Sequence, residues 1–171
     1  MNKYDFKNIS IRGRVAFAIS CLNTYLKTKY PNIDFSSVLD LACKITEDSD
    51  YIDSCTEAFT EIIPEYLYEF DNYEDAEFEY LSKEAYESFI SIIPKDDADL
   101  NLLMHSIRDI AWEYCYVALE TNAPQTYRYL DSIIDTMNKL SLSLPDIKIF
   151  KKYEFSENDG WGRHINRSEY L

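Results

Sequence analysis

With 46% hydrophobic and 15% aromatic residues, a chain of 171 residues is too apolar for a disordered acidic polymer and suits one packed domain. Its three glycines and five prolines leave little turn chemistry for serial β-hairpins, which favours long helices with short connections. A formal charge of −14 repels nucleic acid and attracts basic partners.

The residues before Ser10 read as an N-terminal arm (1–9) without the apolar run of a secretory signal. From Ser10 to Lys29, Val15, Ile19, Leu22 and Leu26 mark one helical face, which ends before Pro31. A second helix is expected behind Asp34 or Ser36, with Val38, Leu41, Ala42 and Ile45 inward. A third begins after Asp50 and carries Ile52, Cys55, Phe59 and Ile62 or Ile63 towards Pro64. Pro64 suits a first helical turn, so PEYLYEF predicts up to two turns before Asp71-Asn72, or a short strand over YLYEF; Glu74–Tyr80 reads as helix again. Ser82 caps a helix with Ala85, Phe89, Ile92 and Ile93 inward, ending at Pro94. The longest helix is predicted over Asp97–Leu119, its stripe running from Leu100 through Leu103, Ile107, Ile110 and Tyr114 to Ala118. The next starts near Pro124 behind Thr121 or Asn122 and runs through Leu130, Ile134 and Met137 to Leu140. These elements form the helical body, 10–140. The C-terminal segment, 141–171, offers a short helix or strand over Asp146–Tyr153 and then a glycine-containing tail. The expected fold is therefore all-α: a single-domain irregular bundle of about six or seven helices with a docked C-terminal tail.

Two eight-residue stretches, EAFTEIIP ending at Pro64 and ESFISIIP ending at Pro94, resemble each other at an offset of 30 residues. Equivalent packing with Phe and Ile inward is expected of them, although two units are too few for a solenoid.

The charge is unevenly placed. Between Thr46 and Asn101, 18 carboxylates face only Lys83 and Lys95, a formal −16; the remaining 15 basic and 13 acidic residues leave +2. The densest part, Pro64–Ser82, interleaves Tyr66, Tyr68, Phe70, Tyr73, Phe78 and Tyr80. Such a surface offers carboxylates to a row of Arg and Lys, and aromatic anchors that carry affinity. A solvated helix face is the plainer reading of the same residues. Lys148, Lys151 and Lys152 form a small basic cluster, either solvated or an internal partner for the acidic block.

Machinery for catalysis is hard to find. His105 has Asp109 four residues on, a spacing that can orient an imidazole, but no nucleophile stands beside it. His164 beside Arg163 suggests a loop contact. The run from Asp71 to Glu77 alternates oxygen ligands like a calcium loop, but Ala76 occupies the sharp-turn position that needs glycine. No phosphate-binding, nucleophile-elbow or zinc-protease motif is present. The expectation is a non-enzymatic chain with no catalytic residues, metal or cofactor. The cysteines Cys21, Cys43, Cys55 and Cys115 lack paired spacing, and no apolar run approaches the ~20 residues of a membrane span. Both suggest a cytoplasmic protein without membrane contact, its thiols serving as small core residues.

The size, the acidic helical body and the run KKYEFSENDGWG from Lys151 to Gly162 resemble the mostly helical immunity proteins of bacterial polymorphic-toxin and contact-dependent inhibition systems. That resemblance implies a protein that binds one cognate toxin and blocks it. A basic effector such as a nuclease is the natural partner, because its substrate groove is already positive. The expected partner-binding residues are Glu65, Glu69, Asp71, Glu74, Asp75 and Glu77, with Tyr66, Tyr68 and Tyr73 as anchors. An adaptor or regulatory protein with an acidic docking surface is the alternative. Trp161, between two glycines, is expected to insert into the body and pin the tail.

Overall fold

Helical periodicity and local caps carry the chain through seven α-helices in the computed structural model, which describes residues 1–48, 52–115 and 121–171. They are α1 (Ile11–Lys29), α2 (Ser36–Glu47), α3 (Ile52–Thr60), α4 (Pro64–Leu67), α5 (Lys83–Ile92), α6 (Ala98–Trp112) and α7 (Tyr127–Lys139). The remaining regular structure is short 3-10 turns, and the fold is all-α. Among the described residues, extended pairing is limited to one antiparallel bridge between Ile9 and Glu154.

Caps set most of the starts. Ser10 accepts from the Gly13 amide at 3.3 Å, Ser82 from Ala85 at 3.2 Å and Asp97 from Leu100 at 3.1 Å. Asp34 accepts from the Ser36 amide at 2.9 Å, yet Phe35 occupies the cap position of α2, so neither expected residue caps it in the ordinary way. Asn122 and Ala123 take left-handed backbone and lead into a 3-10 turn over Pro124–Thr126; neither Thr121 nor Asn122 caps α7.

α1 is the hub. α2, α6 and α7 pack around it, α3 lies on α2 and α6, and α6 lies on α7. Its burial continues round the circumference from Ile11 to Leu22, wider than the single stripe the sequence suggests. Phe17 makes edge contacts with Phe6 of the arm at 4.7 Å and Phe150 of the C-terminal segment at 5.5 Å. Two arginines are buried with it. The Arg14 guanidinium donates to the carbonyls of Phe6, Ile9, Asn122 and Ala123 and to Thr126 Oγ1, at 2.6–3.1 Å. Burial pulls Arg14 down to about 10, so it stays cationic at neutral pH and relies on neutral oxygens and on the rings of Tyr127 and Phe155. Arg12 ties the Gly162 and Asp48 carbonyls together.

The tail docks as expected, though backbone does more of the work than the indole. Trp161 packs at the core's edge, half-buried, and its carbonyl accepts from the Arg12 amide at 3.1 Å. Gly162 has φ +80°, and a Cβ there would lie 2.2 Å from Ser10 Oγ. Further along, the Ile165 amide donates to Thr46 O, Arg167 pairs with Glu47 and Asp40, and Tyr170 reaches Thr46 and Cys43.

Other expectations shift at their ends. α3 stops at Thr60 and α6 at Trp112, earlier than the stripes imply; Ala118 and Leu119 lie outside the described residues. The two similar stretches both bury Phe and Ile, at Phe59 and Ile63 and at Phe89 and Ile93. Their surroundings differ: Pro64 opens α4, whereas Pro94 precedes the turn into Asp97. Cys21 and Cys43 are buried and none of the four thiols is paired. No helix among the described residues is long and apolar enough to cross a membrane.

Candidate functional site

From Pro64 to Ser82 the chain makes the single turn α4, a 3-10 turn over Tyr73–Asp75 and otherwise irregular backbone. The expected second turn after α4, the α-helix over Glu74–Tyr80 and the short strand are all absent. The reason is visible in the hydrogen bonds. Asn72 accepts from the Asp75 amide at 3.1 Å, favouring a tight turn over helix propagation. Glu61, just past α3, then captures the returning backbone: its carboxylate accepts from the consecutive amides of Glu79, Tyr80 and Leu81 at 2.6–3.2 Å.

The three tyrosines expected as anchors hold this segment to the body. Tyr68 donates to the Ile93 and Ile90 carbonyls at 2.6 and 3.1 Å, with Lys95 over its ring. Tyr73 donates to Leu81 O at 2.8 Å and packs with Phe78 and Tyr86. Tyr66 lies against His105 at 5.5 Å, beneath the Arg108 guanidinium, which donates to its hydroxyl at 3.2 Å. All three are half-buried, and the more open rings are Phe70, 42% exposed, and Tyr80, 39%.

The carboxylates divide in the same way. Glu65 meets His105 Nε2 at 2.7 Å, Glu74 pairs with Lys83, and Asp75 accepts from Asn72 Nδ2 at 2.7 Å. Glu57 accepts from the Tyr80 hydroxyl at 2.6 Å. Glu69, Asp71, Glu77 and Glu79 are exposed, and among the described residues no hydrogen bond or ion pair reaches their carboxylates. Of the basic cluster, Lys152 pairs with Glu169 of the tail and not with the acidic stretch.

Glu69 and Glu77 share an open hollow of about 420 Å³ with Tyr66, Phe70, Asp75 and Phe78. Glu77 and Glu79 share an adjoining one of about 330 Å³ with Glu57, Tyr80, Arg108 and Trp112. Thr60 and Glu61 line both. Glu57, Glu61, Phe70, Phe78, Glu79, Tyr80, Arg108 and Trp112 thus join the site from outside the expected set. Phe70, Phe78 and Tyr80 are signalled by the aromatic interleaving and Glu57, Glu61 and Glu79 only by the overall acidity of the stretch, whereas Trp112 carries no local signal. A larger hollow of about 780 Å³ separates arm and tail, but Lys7 and Lys151 there are balanced by Asp5 and Glu154.

His105 does not pair with Asp109. Arg108 Nη2 donates to its Nδ1 at 2.9 Å, which assigns the proton to Nε2, facing Glu65. Asp109 instead lies 2.8 Å from Arg108 Nε, and burial raises its carboxyl above the ordinary range against the pull of Arg108. In the tail, His164 Nδ1 lies 3.1 Å from the Glu47 carbonyl. Among the described residues no cluster of His, Cys, Asp and Glu is spaced to hold a metal ion.

No protein-family model matches the chain, and neither a curated protein nor a solved structure does.

Proposed function

We propose that this protein is a non-enzymatic immunity protein that captures a basic toxin effector, one with the positive groove of a nuclease, and blocks it through the acidic, aromatic surface of Pro64–Ser82. The observation that carries the reading is the set of four carboxylates, Glu69, Asp71, Glu77 and Glu79, left exposed and without partners among the described residues. Crowding like charges raises the free energy of the folded chain, and a cationic partner relieves it. Long-range attraction also accelerates encounter, which matters when a toxin must be caught quickly. The resemblance of Lys151–Gly162 to immunity proteins points the same way.

The test is co-expression with the product of the neighbouring reading frame as the toxin candidate. The wild-type chain should restore growth. A variant carrying E69K, D71K, E77K and E79K should associate about tenfold or more slowly, with a flattened salt dependence. Unchanged association by that variant would sink the site assignment.

A further inference from the structure

The two hollows form one groove, because Thr60, Glu61 and Glu77 line both. Its walls combine open aromatic rings, Phe70 and Tyr80, with carboxylates that have no partner among the described residues, Glu69, Glu77 and Glu79. We propose that the groove is an arginine-binding cleft: a guanidinium from an extended segment of the partner lies on the Phe70 ring and pairs with Glu69 and Glu77. This deepens the neutralisation reading and rests on it.

Charge alone would admit lysine equally, and the rings decide between the two. A guanidinium is planar and weakly hydrated, so it stacks on an aromatic face while its N–H fork meets a carboxylate. A lysine ammonium is strongly hydrated and makes no such fork. The back of the same groove already holds one guanidinium near a ring and a carboxylate. Arg108, which lines the second hollow, lies 5.8 Å from the ring centre of Tyr66, which lines the first, with Asp109 at 2.8 Å from its Nε. Arg108 Nη2 donates to the Tyr66 hydroxyl and to His105 Nδ1 while its Nε makes no hydrogen bond, so an incoming arginine on Phe70 between Glu69 and Glu77 would add the hydrogen-bonded carboxylate pairing that Arg108 lacks. The alternative occupant, a bare divalent cation, would make no use of the rings.

The intact chain should be titrated with short extended peptides differing only in one Arg, Lys or citrulline. Trp112 fluorescence and the amide resonances of residues 69–80 would report on binding. The arginine peptide should bind roughly tenfold tighter than the lysine peptide, with the citrulline peptide weakest. E69Q/E77Q and, separately, F70A should remove the arginine preference while the melting temperature stays put. Equal affinity for Arg and Lys would overturn the proposal. So would an arginine preference that survives both variants, perturbations spread over the whole acidic surface, or no binding of the arginine peptide in the millimolar range. If the peptides are not distinguished but the toxin candidate is still captured in a charge-dependent way, the cleft falls and the neutralisation reading stands. If the four-lysine variant captures that candidate normally, the neutralisation reading falls first.

Discussion

The charges of α1 and those of the acidic stretch are used in opposite ways. Arg14 is a fully buried cation whose guanidinium is directed at four carbonyls and a hydroxyl, joining arm, helix start and the 122–126 turn. Glu69, Asp71, Glu77 and Glu79 are exposed anions whose carboxylates join nothing among the described residues. Removing a guanidinium from water is costly, and only a fitted set of acceptors offsets it, so a buried charge of this kind reports architecture. An exposed charge without a partner contributes little to the fold and stays available to another molecule. The difference separates the part of the sequence that builds the molecule from the part it presents.

Four measurements can break or sharpen that contrast. Arg14→Met should have the largest effect: several buried oxygens lose their donor at about 1–3 kcal/mol each, so a loss of at least about 3 kcal/mol is expected by denaturant unfolding. A loss below about 1 kcal/mol would show that water replaces the guanidinium and that its burial is not architectural. Gly162→Ala should follow, at about 2 kcal/mol, because the residue needs φ +80° and has no room for a Cβ beside Ser10. Its tail amides should exchange faster than those of α6.

Glu61→Gln tests the boundary between the two regions. A glutamine cannot accept from three amides as a carboxylate does, so a loss of about 1 kcal/mol is expected, with fast hydrogen exchange at residues 79–81. Unchanged protection there would mean that Glu61 belongs with the idle carboxylates. The smallest effect concerns pH. The hydrogen bond from Arg163 holds Glu169 at about 2, below its ordinary 4.5. The carboxyl is depressed, so its contribution is present above pH 4.5 and disappears as pH falls towards 2. Exchange of the tail amides should rise across that window in the wild type and be flat there in Glu169→Gln.

The elements most legible in the sequence are those with local signals: α1 behind Ser10, α5 behind Ser82, α6 behind Asp97, and the stripe of α7. The position of α1 at the centre was not legible, because Arg12 and Arg14 carry no local sign of burial and their acceptors lie up to 150 residues away. The end of α3 and the shape of residues 64–82 were hidden for the same reason, since Glu61 binds backbone about 20 residues downstream. The acidic and aromatic character of the candidate surface was plain. Which rings were open was not: Tyr66, Tyr68 and Tyr73 find partners at Arg108, at Ile90 and Ile93, and at Leu81, leaving the more open faces to Phe70 and Tyr80.

Glu61 lines both hollows and also holds the strand of backbone that walls them. The groove is therefore shaped from its floor, by a residue distinct from the ones that would meet a visitor on its rim. The side chains at 69, 77 and 79, which line the hollows, make none of the hydrogen bonds that hold this backbone among the described residues. If the proposed cleft binds as described, a few substitutions at these positions would alter what it accepts while Glu61 keeps its frame.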